Sequence, residues 1–317
     1  MAMANEPNID LPLRIGTRGS PLALWQAHRV ADELRKAAPA LAAAGGIEIV
    51  EIRTTGDRVQ NRLLAEIGGK GLFAKEIEEA LAERRIDIAV HSMKDVETEL
   101  APGFAIAAVL ERADPRDAWI SASGARLDEL PAGARVGTAS LRRKAQVLAR
   151  RPDLVVAPFR GNVGTRLAKL EKGEAEATLL AKAGLDRLEM SACITETLEP
   201  DVMLPAAAQG AVGIEIRADD TTMADLVSRI DHAPTAIVIR AERALLGALD
   251  GSCRTPIGAY AVLDGAGGIR LDALLASEDG RKTWRASRAG AAADAEALGR
   301  DAGAELHRAG DAALFED

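Results

Sequence analysis

Aromatic residues are scarce in this chain of 317 residues: three tryptophans, one tyrosine and four phenylalanines. Its cores must therefore rest on Leu, Ile, Val and Ala, and few rings are left for nucleobases to stack on. Cysteine is nearly absent. Cys193 and Cys253 lie far apart in sequence and make no disulfide framework. Four scattered histidines show no metal-ligand spacing to one another or to the cysteines, so no zinc site is expected. No apolar run approaches the roughly 18 residues of a membrane span. The first residues, MAMANEPNIDLP, lack the basic and then apolar order of a secretory signal, and the cytoplasm is the expected compartment. A positive balance is missing too. Lys and Arg number 40 against 48 Asp and Glu, a net charge of −8, which argues against a general binder of nucleic acid.

The length suffices for about two or three domains. The stretch IDIAVHSMKD, residues 86–95, turns from an apolar strand into a polar run at His91. A nearly continuous apolar strand is one covered on both faces, as in a parallel α/β sheet. Ligands of such sheets bind beyond the carboxyl ends of the strands, where Ser92, Lys94 and Asp95 fall. Two readings stand here: a hydroxyl, a cation and an acid placed for chemistry, or a solvated turn. Upstream, RIGTRGSPLALWQ reads as strand, glycine turn and helix. Ser20 is a suitable N-cap and Pro21 suits the first turn, with Leu24, Ala27, Ala31 and Leu34 on the apolar stripe. Such a helix start favours a carboxylate. Arg18 stands in that turn, as a ligand or as an ordinary surface arginine. IEIVEI (47–52) is a strand, and IGGKGLFAKEIEEAL leads through a glycine-rich loop around Lys70 into a helix marked by Phe73, Ile77, Ala80 and Leu81. That loop is either a lid or a plain connection.

ERADPRD reads as a crossing into a second unit, where RVGTASLRRKAQ (135–146) repeats RIGTRGSPLALWQ in miniature. Two such units facing each other would form a cleft with an anion cradle on each wall. Between residues 135 and 166 stand Arg135, Arg142, Arg143, Lys144, Arg150, Arg151, Arg160 and Arg166, against the single acid Asp153. Leu141, Ala145 and Leu148 mark the buried face of the helix there, so Arg142 and Arg143 are expected off it. Arg160 is expected to end the strand LVVAPF. Guanidinium groups suit carboxylates because their planar fork stays charged and bonds twice. The basic tract is either such a site or a solvated helix face. ATLLAKAGLDRL is a strand entering a short helix, and QGAVGIEIR returns the chain to the first unit. Strands at 257–263, 269–276 and 282–286 form a meander, and residues 294–309 a final helix. Cys253 lies at the entrance to this last part beside Arg254. That setting favours a thiolate, although lone cysteines are most often inert. Cys193 has no cationic neighbour in sequence and fits the inert reading.

Eight segments in order, TRGSPLALWQ, GGKGLF, IAVHSMKD, ERADPRDA, GTASLRR, RGNVGTR, QGAVGIE and GSCRTPIG, make the chain resemble the porphobilinogen deaminase, or hydroxymethylbilane synthase, family along essentially its whole length. The resemblance implies two periplasmic-binding-protein-like α/β domains around a cleft, at 1–110 with 211–229 and at 111–210. A small α+β domain at 230–317, with a three-stranded antiparallel sheet, would carry the cofactor cysteine. It implies an enzyme that joins four porphobilinogen units head to tail, releases ammonia each time, and frees the linear tetrapyrrole by hydrolysis. It also implies a dipyrromethane cofactor in thioether linkage to Cys253, with Asp95 as the catalytic acid. Cofactor contacts would come from Ser92, Lys94, Asp95, Thr138, Ser140, Arg142, Arg143, Arg166 and Gln209. Substrate contacts would come from Arg18, Ser20, Arg160, Arg166, Lys70 and Phe73. No metal, nucleic acid, membrane or obligate protein partner is expected, and the chain should be a monomer. Four positions depart from the family pattern: Glu97, Ala208, Ser252 and Lys182. The competing reading is a non-enzymatic solute-binding protein for a small dicarboxylate, which would need neither Cys253 nor Asp95.

Overall fold

The alternation of short apolar strands with one-sided helices commits the chain to layered α/β units. A computed structural model describes residues 10–54, 74–249 and 255–314. β1 (Leu13–Arg18) passes through a short turn into α1 (Pro21–Ala37), where Ser20 Oγ accepts from the Ala23 N–H and Pro21 occupies the first turn. β2 (Ile47–Ile52), α2 (Lys75–Ala82), β3 (Ile88–Ser92) and β4 (Phe104–Val109) follow. The chain then forms β5 (Asp117–Ser121), β6 (Arg135–Gly137), α3 (Leu141–Arg150), β7 (Val155–Ala157) and α4 (Val163–Glu171). β8 (Ala177–Ala181), α5 (Lys182–Arg187) and β9 (Glu196–Leu198) complete that stretch. β10 (Val212–Arg217) and α6 (Thr221–Ser228) lead to α7 (Ala233–Ala248). The meander β11 (Ile257–Leu263), β12 (Gly268–Ala276) and β13 (Thr283–Ala291) ends in α8 (Ala295–Leu314).

Two compact units result: Met1–Arg112 with Ala211–Ala236, and Ala113–Gly210 with Ile237–Asp317. The first unit's sheet has the order β2-β1-β3-β10-β4, and the second unit holds β7-β6-β8-β5-β9 and the separate β11-β12-β13. In the first sheet β1 runs parallel to β2 and β3, while β10 is antiparallel to β3 and β4. In the second, β6 runs parallel to β7 and β8, while β5 is antiparallel to β8 and β9. Both sheets are thus mixed, not parallel as the apolar run of β3 suggested. Cover on both faces says nothing of strand direction: β10 is antiparallel to both its neighbours and every one of its residues is buried. β1–α1 and β6–α3 occupy equivalent places in the two sheets, which matches the short internal repeat in sequence.

Alternation along β3 feeds two cores. Ile88 and Val90 pack with Ala27, Val30 and Leu34 of α1, whereas Ala89 faces Ile77, Ala80 and Leu81 of α2. Each fully buried Leu or Ile contributes about 1.5–3 kcal/mol of apolar burial. Trp119, Val136, Val147 and Leu179 fill one side of the second sheet, and Ile120, Leu170, Leu180 and Leu185 the other. Three boundaries differ from expectation. β7 stops at Ala157, leaving Arg160 beyond the strand; β13 continues to Ala291; and the last helix runs on to Leu314. No described helix is long and apolar enough to cross a membrane.

Candidate functional site

In the first unit the end of β3 is fixed from below. Met93 is buried, its N–H donates to the Ala211 carbonyl at 3.0 Å, and its Sδ lies where a Cβ on residue 213 would come within 2.0 Å. Gly213 therefore makes room for Met93, and the tight turn Met93–Asp95 is held while Lys94 stays half-buried and Asp95 exposed. A small half-open cavity of about 80 Å³ opens beside it, lined by Arg18, Ser20, Gln26, His91, Ser92 and Asp95 among others. Four expected site residues thus converge from β1, the start of α1 and the end of β3. Gln26 Nε2 donates to Ser92 Oγ at 2.8 Å, so the hydroxyl is oriented from α1. His91 Nε2 lies 2.7 Å from Glu215 Oε2, a carboxylate 1% exposed on β10. Burial, and then the charge of Glu215, push the Glu78 carboxyl up. Asp95 forms no ion pair among the described residues. A cation, two hydroxyls and an uncommitted carboxylate around one opening can bind an acidic ligand and stabilise or move a proton on it.

In the second unit two of the expected arginines, Arg142 and Arg143, gather on an acid. Asp117, the first residue of β5, is fully buried and accepts from Arg142 Nη1 at 2.7 Å, Arg143 Nη2 at 2.7 Å, Arg143 Nε at 3.0 Å and Gln209 Nε2 at 3.1 Å. Arg142 and Arg143 are each 5% exposed. The expectation that they lie off the buried face of α3 is wrong. Asp117 and the carbonyls of Leu204 and Leu179, which accept from Arg142 and Arg143, supply the polar lining that lets guanidinium groups turn inward. Leu141 and Leu148 are only half-buried. Burial by itself would raise the Asp117 carboxyl, but the two guanidinium charges outweigh it and hold it well below the usual carboxylate range. Burial pushes Arg142 down; Asp117 opposes this, and Arg143 adds to it.

Around this cluster, Ser140 caps α3 by accepting from the Arg143 N–H, and the Thr138 hydroxyl accepts from the Ser140 N–H at 3.2 Å. Arg166, one turn into α4, donates through Nε to the Gly161 carbonyl at 2.9 Å. Arg160 Nη1 is buried and has no hydrogen-bond partner among the described residues, a donor that suits an anionic ligand. Lys182 Nζ is 2.6 Å from Asp186 and 3.9 Å from Asp114. Ala208 adopts φ 57°, and its N–H donates to Glu242 Oε2 at 2.6 Å. Cys193 is half-buried, and burial pushes its thiol up, in keeping with an inert cysteine.

Cys253, Ser252, Lys70 and Phe73, with the expected lid around Lys70, lie outside the described residues. Sequence reasoning missed Asp117, Gln26, Glu215 and Glu242. Gln26 carried a usable signal, since it stands beside Ala27 on the stripe that α1 buries. Asp117 closes ERADPRD, which reads in sequence as a crossing and gives no sign that its last residue opens a buried strand.

Against known proteins, residues 13–225 match the family model described as porphobilinogen deaminase, dipyromethane cofactor binding domain, and residues 236–308 that of the porphobilinogen deaminase C-terminal domain. A porphobilinogen deaminase of Paracoccus denitrificans (strain Pd 1222) is 52% identical over 99% of this chain and 99% of its own length. A chloroplastic porphobilinogen deaminase of Pisum sativum is 54% identical over 93% of this chain and 80% of its own length. Among solved structures, the periplasmic VFT2 domain of BvgS from Bordetella pertussis is 13% identical with a TM-score of 0.42, over 70% of this chain and 87% of that one.

Proposed function

The chain belongs to the porphobilinogen deaminase family, and from that premise we propose how its residues share the work. It is an enzyme of tetrapyrrole biosynthesis. It condenses porphobilinogen, with loss of ammonia, into the linear tetrapyrrole hydroxymethylbilane on a dipyrromethane cofactor. The residues present suit that cofactor and its substrate alike: the acetates and propionates of both call for guanidinium groups, Arg142 and Arg143 gather two of them, and Arg160 retains a buried donor with no partner among the described residues. Bound, the cofactor supplies the pyrrole carbon to which the first substrate is joined.

In this reading Cys253 holds the cofactor by a thioether, and Ser92, Lys94, Asp95, Thr138, Ser140, Arg142, Arg143, Arg166 and Gln209 seat it. Arg18, Ser20, Arg160, Arg166, Lys70 and Phe73 receive the substrate. The observation that carries the reading is the single cavity shared by Arg18, Ser20, Ser92 and Asp95. Arg18 and the capped start of α1 hold a carboxylate there by charge and by the helix dipole. Porphobilinogen that loses ammonia becomes cationic, and Asp95 stabilises that charge and accepts the pyrrole proton. At 4 Å and an effective dielectric of 20, such a contact is worth about 4 kcal/mol, roughly a thousandfold in rate if confined to the transition state. Residues 230–317 act as a third domain that carries the cofactor cysteine, beside α/β domains at 1–110 with 211–229 and at 111–210. The enzyme works as a cytoplasmic monomer.

Intact mass and turnover test these roles. The purified protein should be heavier than its sequence by one dipyrrole, and Cys253→Ser should remove the increment. Asp95→Asn and Asp95→Ala should keep the increment while turnover falls about a thousandfold. Near-normal turnover in either Asp95 variant would defeat the role given to that acid.

A further inference from the structure

Two guanidinium groups and one carboxylate meet inside the second unit, and the count does not balance. Asp117 is fully buried, and Arg142 and Arg143 are each 5% exposed. Among the described residues Asp117 is the only carboxylate bonded to either arginine. Its Oδ1 accepts from Arg143 Nε, Arg143 Nη2 and Gln209 Nε2, while Oδ2 accepts from Arg142 Nη1. Their other side-chain hydrogen bonds among the described residues go to neutral carbonyls, of Leu204 and Leu179. Arginine stays protonated even when buried, so one positive charge is left without a counter-ion. A buried charge of this kind is costly unless an opposite charge reaches it. Asp117 belongs to β5, whereas Arg142 and Arg143 start α3 and Gln209 lies just before β10. One carboxylate therefore fixes three separate chain segments.

We infer that Asp117 is a positioning residue that presents Arg142 and Arg143 as a buried pair with one positive charge in excess, a socket left electrostatically incomplete until a carboxylate of the dipyrromethane joins it. This rests on the cofactor contacts proposed above for Arg142, Arg143 and Gln209. Asp117 itself needs no contact with cofactor or substrate. It neutralises one of two like charges that would otherwise repel, and leaves the second for the ligand. A second buried acid here would abolish the need for the ligand's carboxylate, and no acid at all would make the unloaded protein hard to fold.

Thermal melting of the Cys253→Ser protein, unloaded if the attachment site is right, tests the idea with succinate as a probe carboxylate and sodium chloride at matched ionic strength as control. The melting temperature should rise saturably with succinate and not with chloride. Arg142→Gln in that background balances the charges, and Leu204 keeps its bond from Gln146. It should melt no lower without succinate and should lose most of the response. Asp117→Asn leaves two excess charges. It should melt lower without succinate and respond at least as strongly as the parent. A plain structural brace gives the opposite pattern: both variants melt lower and the succinate response stays that of the parent, and that result overturns the inference. If Asp117→Asn does not fold, the Arg142→Gln comparison alone decides. Absence of the dipyrrole mass from the native protein would refute the cofactor attachment, while the succinate response would still report the excess charge.

Discussion

The Asp117 carboxyl illustrates how one residue ties pH to stability. Burial raises it, the charges of Arg142 and Arg143 overcome that, and its folded value falls well below the ordinary 3.8. With the folded value the lower of the two, the unfolded chain binds the proton more readily. The stabilisation is therefore complete above about pH 4 and is lost as pH falls below it. Acid titration of stability should show a decline below pH 4 that is shallower in Asp117→Asn. Ala208 offers a test of opposite sign. Its φ of 57° is a left-handed conformation that costs an L-residue about 1–2 kcal/mol, and glycine would relieve it. The greater freedom of glycine in the unfolded chain takes back about 0.4–1 kcal/mol. Ala208→Gly also gives up a buried methyl worth about 0.8 kcal/mol, so it should stabilise the protein by less than about 1 kcal/mol, read from its urea midpoint.

Among the elements, those built on apolar stripes and caps were legible in the sequence. Ser20 and Pro21 start α1 where expected, and Ala27, Ala31 and Leu34 are buried along it. The same logic failed wherever polar side chains face inward. α3 buries Arg142, Arg143 and Gln146 because their partners, Asp117 and Leu204, come from distant segments that local periodicity cannot see. β10 hid its burial in the same way. Glu215 and Arg217 break its apolar run, yet Glu215 is matched by His91 on β3 and Arg217 by Asp220 at the start of α6. Cys253, Lys70 and Phe73 rest on motif alone, since no structural description reaches them. Asp220 joins two elements at once: it accepts from the Met223 N–H as the cap of α6, and it bonds Arg217, whose Nη1 donates to the carbonyls of Leu81 and Ile86. Asp220→Ala removes a cap worth about 1 kcal/mol and one bond of a buried cation worth about 1.5–3 kcal/mol. Denaturant titration should register a loss of about 2–4 kcal/mol.

For the whole molecule, a net charge of −8 coexists with arginines gathered at one buried acid, so the sign of the chain says little about the sign of its site. The route of the chain matters more. β10 lies between β3 and β4, and among the described strands β4 has β10 as its one neighbour in the sheet. The strands β5–β9, by contrast, all come from residues 117–198 and need nothing later to pair. On a ribosome adding about 5–20 residues per second, β4 waits on the order of 5–20 s for β10 to be made. The sheet begun second is finished first, and the nascent chain must protect an unpaired edge in the meantime. A chain ended at residue 210 should accordingly protect amides of β5–β9 from hydrogen exchange while those of β4 exchange freely, which makes early termination, or any pause before residue 217, the moment when this protein is most exposed to aggregation.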